Sequence, residues 1–530
     1  MRRTSVLLIL AAATLCAQVK ESPIPRLVQK DGRYALFVDD APYLMLGAQV
    51  HNSSSWPAML PKVWPAMEYL HVNTVEMPVY WEQIEAKRGQ YDFTIVDALL
   101  AGARQHHLHL VILWFGTWKN GSQHYTPEWM KLEPELLPHL VDKNGRAVDS
   151  PSPYAQAACE LDKKAFAAFM GHLKAADPQR TVLMVQVENE PGTWGSQRDY
   201  SPEANKLFEA PVPAEVVKAM GAQAPSATAN WQEVFGAEAQ VNFHAWSVAK
   251  YIQQVAAAGK AVYPLPLYAN AALRDPIKPG APGTYESGGP TDNVISIYKV
   301  AAPALDIEAP DIYMSDSTPY LKVMELYHRG DNALFVPETG GDKNTPRLFF
   351  SALNLQTIGY SPFGLDYTAN RGGPGSKPED ALEPWALNYR LIGPMMREIA
   401  RLNFEGKLQA VAEEKGKPRQ TLAFGAWNAE VSYGSGRRGG SAEGNPEPSG
   451  RALVAQLGDH QFLVTGYHAR VDFRPSNAAS GKQRQFLRVE EGSYAGGVFK
   501  PIRIWNGDET DSGLNFRDDP VVLRVSVATY

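Results

Sequence analysis

Short apolar, β-rich runs alternate along most of the chain with longer stretches whose apolar positions recur at helical spacing. That alternation predicts a parallel α/β architecture. The runs Tyr43–Gly47, Thr74–Pro78, Leu108–Leu113, Val182–Val187, Pro264–Tyr268, Ile307–Tyr313, Ala333–Val336 and Tyr360–Gly364 read as strands. Helices are expected between them at Phe93–His107, Lys163–Ala176, Phe243–Ala258 and Pro384–Leu402. Eight strands in this order fit a (β/α)8 TIM barrel with insertions, preceded by a strand-like segment from Arg26 with a Lys30-Asp31-Gly32 turn.

After Gly406 the helical periods stop. Short alternating runs at Leu422–Trp427, Ala452–Leu457, Gln461–Thr465, Phe486–Val489, Ile502–Trp505 and Val521–Val527, separated by turn pairs such as Gly458-Asp459, predict a C-terminal all-β, sandwich-like domain. The chain therefore divides into residues 1–17, a catalytic barrel over 18–405 and a β domain over 406–530.

Residues 1–17 have a different character. Two arginines, an apolar run from Ser5 to Leu15 and Cys16-Ala17 have the layout of a secretory signal peptide, and the run is too short to span a bilayer. Cleavage after Ala17 leaves Cys159 as the sole thiol, so an exported, periplasmic or secreted protein without disulfides is expected. The alternative, lipidation at Cys16, places Leu15 where a small residue is normally required.

Composition narrows the partners. With 51 Lys and Arg against 57 Asp and Glu, the net charge is −6, which lacks the basic footprint of a nucleic-acid binder. The 12 Trp and 23 Tyr supply faces that either fill a core or stack on sugar rings. A homodimer is expected on size alone.

In a parallel barrel the C-terminal strand ends carry the active site. Two apolar strands end there in acids: Val182-Leu183-Met184-Val185-Gln186-Val187-Glu188-Asn189-Glu190, and Ala333-Leu334-Phe335-Val336-Pro337-Glu338. As strands four and seven they place Glu190 and Glu338 across the barrel mouth. A carboxyl pair in that position suits glycoside hydrolysis, with one group as nucleophile and the other as acid, then base. Glu188 forms a rival pair and is read as holding a neighbour. By position at the catalytic end, Tyr80 and Glu82 after strand two, His51 after strand one and Trp194 after strand four are candidate ligand contacts.

The motif Gln186-Val187-Glu188-Asn189-Glu190, with Asn73-Thr74-Val75-Glu76-Met77-Pro78-Val79-Tyr80-Trp81-Glu82 and Tyr91-Asp92-Phe93, resembles glycoside hydrolase family 35, the β-galactosidases of the retaining barrel clan. The resemblance implies Glu190 as acid/base, Glu338 as nucleophile, Asn189 on the sugar 2-hydroxyl and Tyr313 bonded to the nucleophile. It implies an exo-acting β-galactosidase with no metal or organic cofactor and a carbohydrate substrate, such as galactosylated hemicellulose. Another retaining glycosidase of the clan, or a catalytically silent sugar-binding protein, is the alternative. The chain departs from the family at strand three, where Leu113-Trp114-Phe115-Gly116-Thr117-Trp118-Lys119-Asn120 lacks the usual Glu before Trp. Trp114 and Trp118 stay as stacking candidates.

Two further motifs are read as ordinary. His106-His107-x-His109 lies where a helix runs into strand three, away from the catalytic end. Gly434-x-Gly436-x-x-Gly439 matches a dinucleotide fingerprint but lacks the following helix.

Overall fold

The computed structural model of the protein describes residues 21–368, 377–434, 443–477, 479 and 481–530. The expected export signal, Cys16 and most of the Gly434–Gly439 stretch lie outside the described residues. Strands Arg26–Lys30 and Arg33–Val38 form a hairpin whose turn residues Asp31 and Gly32 stand at φ 52 and 75. Two positive φ values in a two-residue loop match the twist of the paired strands, which is why Asp-Gly serves there. Ala41–Tyr43 completes this three-stranded sheet.

The barrel closes from eight parallel strands in chain order: Met45–Gln49, Thr74–Tyr80, His109–Lys119, Val182–Asn189, Leu267–Ala272, Ile307–Ile312, Val336–Thr339 and Gly359–Pro362, the eighth pairing with the first through Gly359 and Met45. Its interior is filled by Met45, Val111, Leu113, Met184, Tyr268 and Phe335, joined by Leu36 and Val38 of the hairpin. Each of the eight expected strands overlaps an observed one, but strands five and seven begin three residues later than expected, and strand three runs six residues further, through a bulge between Trp114 and Lys119. Buried carboxylates carry it past the barrel: Asp162 accepts from Trp114 Nε1 at 3.0 Å, from Thr117 N–H at 3.2 Å and from Thr117 Oγ1 at 2.7 Å, and Glu188 Oε2 accepts from Trp118 N–H at 2.7 Å. Buried donors left by the bulge thus find partners outside the ladder.

The expected helix Pro384–Leu402 is two helices, Pro378–Ile392 and Met396–Phe404, joined by a 3-10 turn over Gly393–Met395. Pro394 has no N–H to continue the helical ladder. Among the described residues, no helix is long and apolar enough to cross a membrane.

The C-terminal part packs a six-stranded sheet against a four-stranded one, both antiparallel, around Leu422, Trp427, Val431, Phe462, Phe473 and Val525. The expected strand Leu422–Trp427 is instead a hairpin: Arg419–Phe424 turns at Gly425, φ 61, into Trp427–Tyr433. Strands Leu408–Ala412, Ala469–Pro475 and Leu514–Phe516 were not anticipated. Leu408, Ala410, Leu453, Leu463 and Val522 share one continuous core with the barrel helices. Arg451, 5% exposed, reaches across to Asn388 Oδ1 at 2.7 Å, and Arg347 Nε donates to the Glu413 carbonyl at 2.9 Å.

Candidate active site

The ends of strands four, six and seven bring Glu190, Asp311 and Glu338 together, with carboxyl oxygens within 4.8 Å of one another. Among the described residues this is the one trio of His, Cys, Asp or Glu close enough to hold a metal ion. Both carboxyl oxygens of Glu338 accept hydrogen bonds. Gln49 Nε2, from strand one, donates to Glu338 Oε2 at 2.9 Å, and the Tyr313 hydroxyl donates to Glu338 Oε1. Tyr313 is 52% exposed, so its ring forms part of the open mouth while its hydroxyl turns to the acid.

Glu188 and Glu190 both adopt the left-handed region, φ 65 and 42, where non-glycine residues are uncommon and strained. This turns Glu188 outward to Trp118 and Asp162 and leaves Glu190 at the mouth. The Glu190 N–H donates to Asn270 Oδ1 at 2.9 Å, and Asn270 Nδ2 donates to Asp311 Oδ2 at 2.6 Å. Burial, and then the Glu338 charge, raise Glu190 to about 7, against the pull of Lys119 and a hydrogen bond from Asp311. Burial and the same two acids push Asp311 well above the usual carboxyl range. Below them, on strand two, burial raises fully enclosed Glu76 to about 8, although Tyr268 donates to its Oε2 at 3.0 Å.

The extension of strand three delivers Lys119. Its Nζ donates to Asn189 Oδ1 at 2.8 Å and to Asn120 Oδ1 at 2.5 Å and lies 5.0 Å from the Phe115 ring centroid. Asn189 is fully buried, and its Nδ2 has no partner among the described residues. Glu286, from the long loop after strand five, is buried beside Lys119 and Glu190 and raised well above its usual range by desolvation. Gly121, at φ 70, lets this loop approach: a Cβ there would lie 2.6 Å from Glu286 Oε1.

Of the residues singled out in the sequence, Glu190, Glu338, Asn189 and Tyr313 are thus brought together. His51 lies beyond strand one, its ring 3.1 Å from Asp366 Oδ1 and its N–H donating to Asp366 Oδ2 at 2.8 Å. Tyr80 stacks on Phe115, nearly parallel at 5.6 Å, and is almost wholly buried. Trp194 is half exposed, and with Asn52, Lys119, Asn120, Tyr125 and Asp149 it borders a cavity of about 500 Å³.

Two placements correct the expectation. Trp114 and Trp118 are fully buried behind the barrel wall, Trp114 stacked on Phe169 and Trp118 set edge-on to Tyr251, so neither offers a face to a ligand. Glu82 is partly exposed after strand two and forms an ion pair with Lys131 at 3.1 Å. His106, in the histidine tract, bonds Glu68 and stacks on Trp64 at a helix end.

Gln49, Lys119, Asn270, Glu286 and Asp311 were not singled out. The available signal was a polar residue inside an otherwise apolar strand, as in Leu267–Ala272 and Ile307–Ile312.

Residues 35–265 match the model of glycosyl hydrolases family 35, and residues 385–517 match a domain of unknown function, DUF5597. No curated protein sequence matches the chain. Similar solved structures include a β-galactosidase from Rahnella sp. R3, 14% identical, TM-score 0.47, covering 68% of this chain and 58% of that one. A β-galactosidase from Marinomonas ef1 is 13% identical, TM-score 0.46, covering 70% and 62%. The catalytic domain of a β-amylase from Paenibacillus polymyxa is 13% identical, TM-score 0.45, covering 64% and 96%. The chain spans under two thirds of the length of the two β-galactosidases. Residues 35–265, which carry strands one to four and Glu190 and make up under half of the chain, are the part similar to glycosyl hydrolases family 35.

Proposed function

We propose that the protein is an exported, exo-acting, retaining β-galactosidase that removes terminal β-galactosyl residues from oligosaccharides or galactosylated hemicellulose by double displacement. The observation that carries this reading is the Glu190–Glu338 pair, whose oxygens lie within 4.8 Å. A short carboxyl separation favours direct attack by one group, whereas inversion needs about 6.5–9.5 Å to seat a water. Glu190, with its proton held up to about pH 7, protonates the glycosidic oxygen. The Glu338 carboxylate attacks the anomeric carbon as the C–O bond breaks and its electron pair leaves with that oxygen. Glu190, now a carboxylate, takes a proton from the water that cleaves the glycosyl ester. Asn189 supports the reading because its buried, unpartnered Nδ2 is a donor suited to the sugar 2-hydroxyl.

The strand-three departure favours one second reading, a glycosidase for another β-linked sugar, because Leu113 and Thr117 stand before Trp114 and Trp118 where the family's Glu is expected. A panel of nitrophenyl glycosides separates the two; faster release of any sugar other than galactose rules out the galactosidase assignment. Replacing Glu338→Gly is expected to lower turnover by about a thousandfold or more. Azide should then restore turnover and give the glycosyl azide of inverted configuration. Retained activity without azide removes Glu338 as nucleophile.

A further inference from the structure

We infer that Asp311 is a positioning residue that keeps its own proton through the reaction and donates it as a hydrogen bond to Glu190, stabilising that side chain in its carboxylate form. The inference rests on the proposed glycosidase reading and deepens it.

The hydrogen-bond directions assign the proton. The Glu190 backbone N–H only donates, so the atom of Asn270 that meets it is the carbonyl Oδ1, and Nδ2 necessarily faces Asp311. Asp311 Oδ2 therefore accepts. Asp311 Oδ1 is buried, the residue is 3% exposed, and no N–H or hydroxyl donor among the described residues reaches that oxygen. An ionised carboxylate left there without a donor is costly, whereas a protonated Oδ1 serves as the donor to Glu190.

The charges around Asp311 agree. Glu338 faces it from strand seven and Glu190 from strand four, with Lys119 of strand three as the nearby cation. Tyr313 two residues on, Tyr268 on strand five and Tyr327 on the following helix complete its surroundings. One ammonium cannot balance three carboxylates at this separation, so the site keeps protons.

The consequence for the chemistry lies on Glu190. When it gives its proton to the leaving oxygen, a new negative charge is left in a buried site. The Asp311 proton, on a carboxyl group within 4.8 Å of Glu190, stabilises that charge in place. The Asp311 proton stays on Oδ1 in both half-reactions; only the Glu190 proton is exchanged with leaving group and water.

The test is the alkaline limb of the pH profile of kcat/KM, which reports the acid of the free enzyme. Asp311→Asn places a neutral amide where a neutral acid stood, with Oδ1 for Asn270 and Nδ2 for Glu190. Its limb is expected within about 0.3 pH units of the native protein. A downward move of about one unit or more means that a negative charge has been removed, and overturns the inference. Asp311→Ala removes the donor: its limb is expected to move upward, with kcat/KM on a poor leaving group reduced about tenfold or more. An unmoved limb in a folded Asp311→Ala protein also overturns it. Glu190→Gln is the control for the underlying reading. If it turns over like the native protein, the acid/base assignment fails, whereas an inactive Glu190→Gln beside a shifted Asp311→Asn sinks only the Asp311 inference.

Discussion

Burial and hydrogen-bond partners, more than position, separate the acids that share this barrel. Glu188 and Glu190 are two residues apart, yet one accepts from a backbone N–H behind the wall and the other faces the mouth. Glu76 shows the cost of enclosure. Its folded carboxyl stands at about 8 against an ordinary 4.5. Below pH 4.5 it is protonated whether the chain is folded or unfolded, so it contributes no pH dependence there. Between these values the unfolded chain releases a proton that the folded one keeps, so stability falls as pH rises and the loss is complete above about 8. Glu76→Gln removes this dependence. The melting-temperature difference between variant and native protein is expected to widen from pH 5 to pH 9, by the equivalent of about 4 kcal/mol. The meeting of Glu190 and Glu338 was legible because each stands at the end of an apolar strand. Trp114 was not, for a physical reason: strands of a parallel barrel are apolar on both faces, so the inward and outward phases look alike in the sequence. Leu113 faces the interior, and Trp114, one residue on, must face the helices. Asp311 was hidden the same way, a polar residue whose inward phase is shared with Ile307 and Ala309.

At the level of elements, all eight barrel strands were legible, and the errors cluster where a side chain or a turn overrides the apolar pattern. Strand three continues past its apolar run because Asp162 and Glu188 supply the acceptors its ladder lacks. Asp162→Ala removes the acceptor of the Trp114 indole N–H and of the Thr117 N–H, while the Thr117 hydroxyl keeps Tyr251 at 2.8 Å, at about 1–3 kcal/mol for each buried donor left unpaired. A clear drop in melting temperature is expected, together with a raised KM, because Lys119 loses the support that holds it on Asn189. An unchanged KM in a protein destabilised this way would separate the extension from substrate binding. The hairpin at Gly425 was read as one strand because Leu422, Phe424 and Trp427 are all apolar, and the left-handed glycine between them carried the contrary signal.

For the whole molecule, the division into barrel and β domain was visible as the point where helical periods stop. How the two join was not visible, since contacts distant in sequence leave no periodic trace. Leu408, Leu453 and Val522 lie in the same core as the barrel helices, and Arg451 and Arg347 cross the seam. Heat should therefore remove activity and the β-domain signal in one transition. Calorimetry and residual activity measured on the same samples check this, and activity that survives loss of β structure argues against a shared core. The seam falls on the Glu338 side: Leu348–Asn354, the helix after strand seven, packs against the strand Leu408–Ala412. The opposite lip is built from the loops after strands three, four and five. The mouth therefore joins a wall fixed by a second domain to a lip of loops, and the two differ in evolvability: new acceptor preferences can accumulate in the lip while the chemistry behind it stays the same.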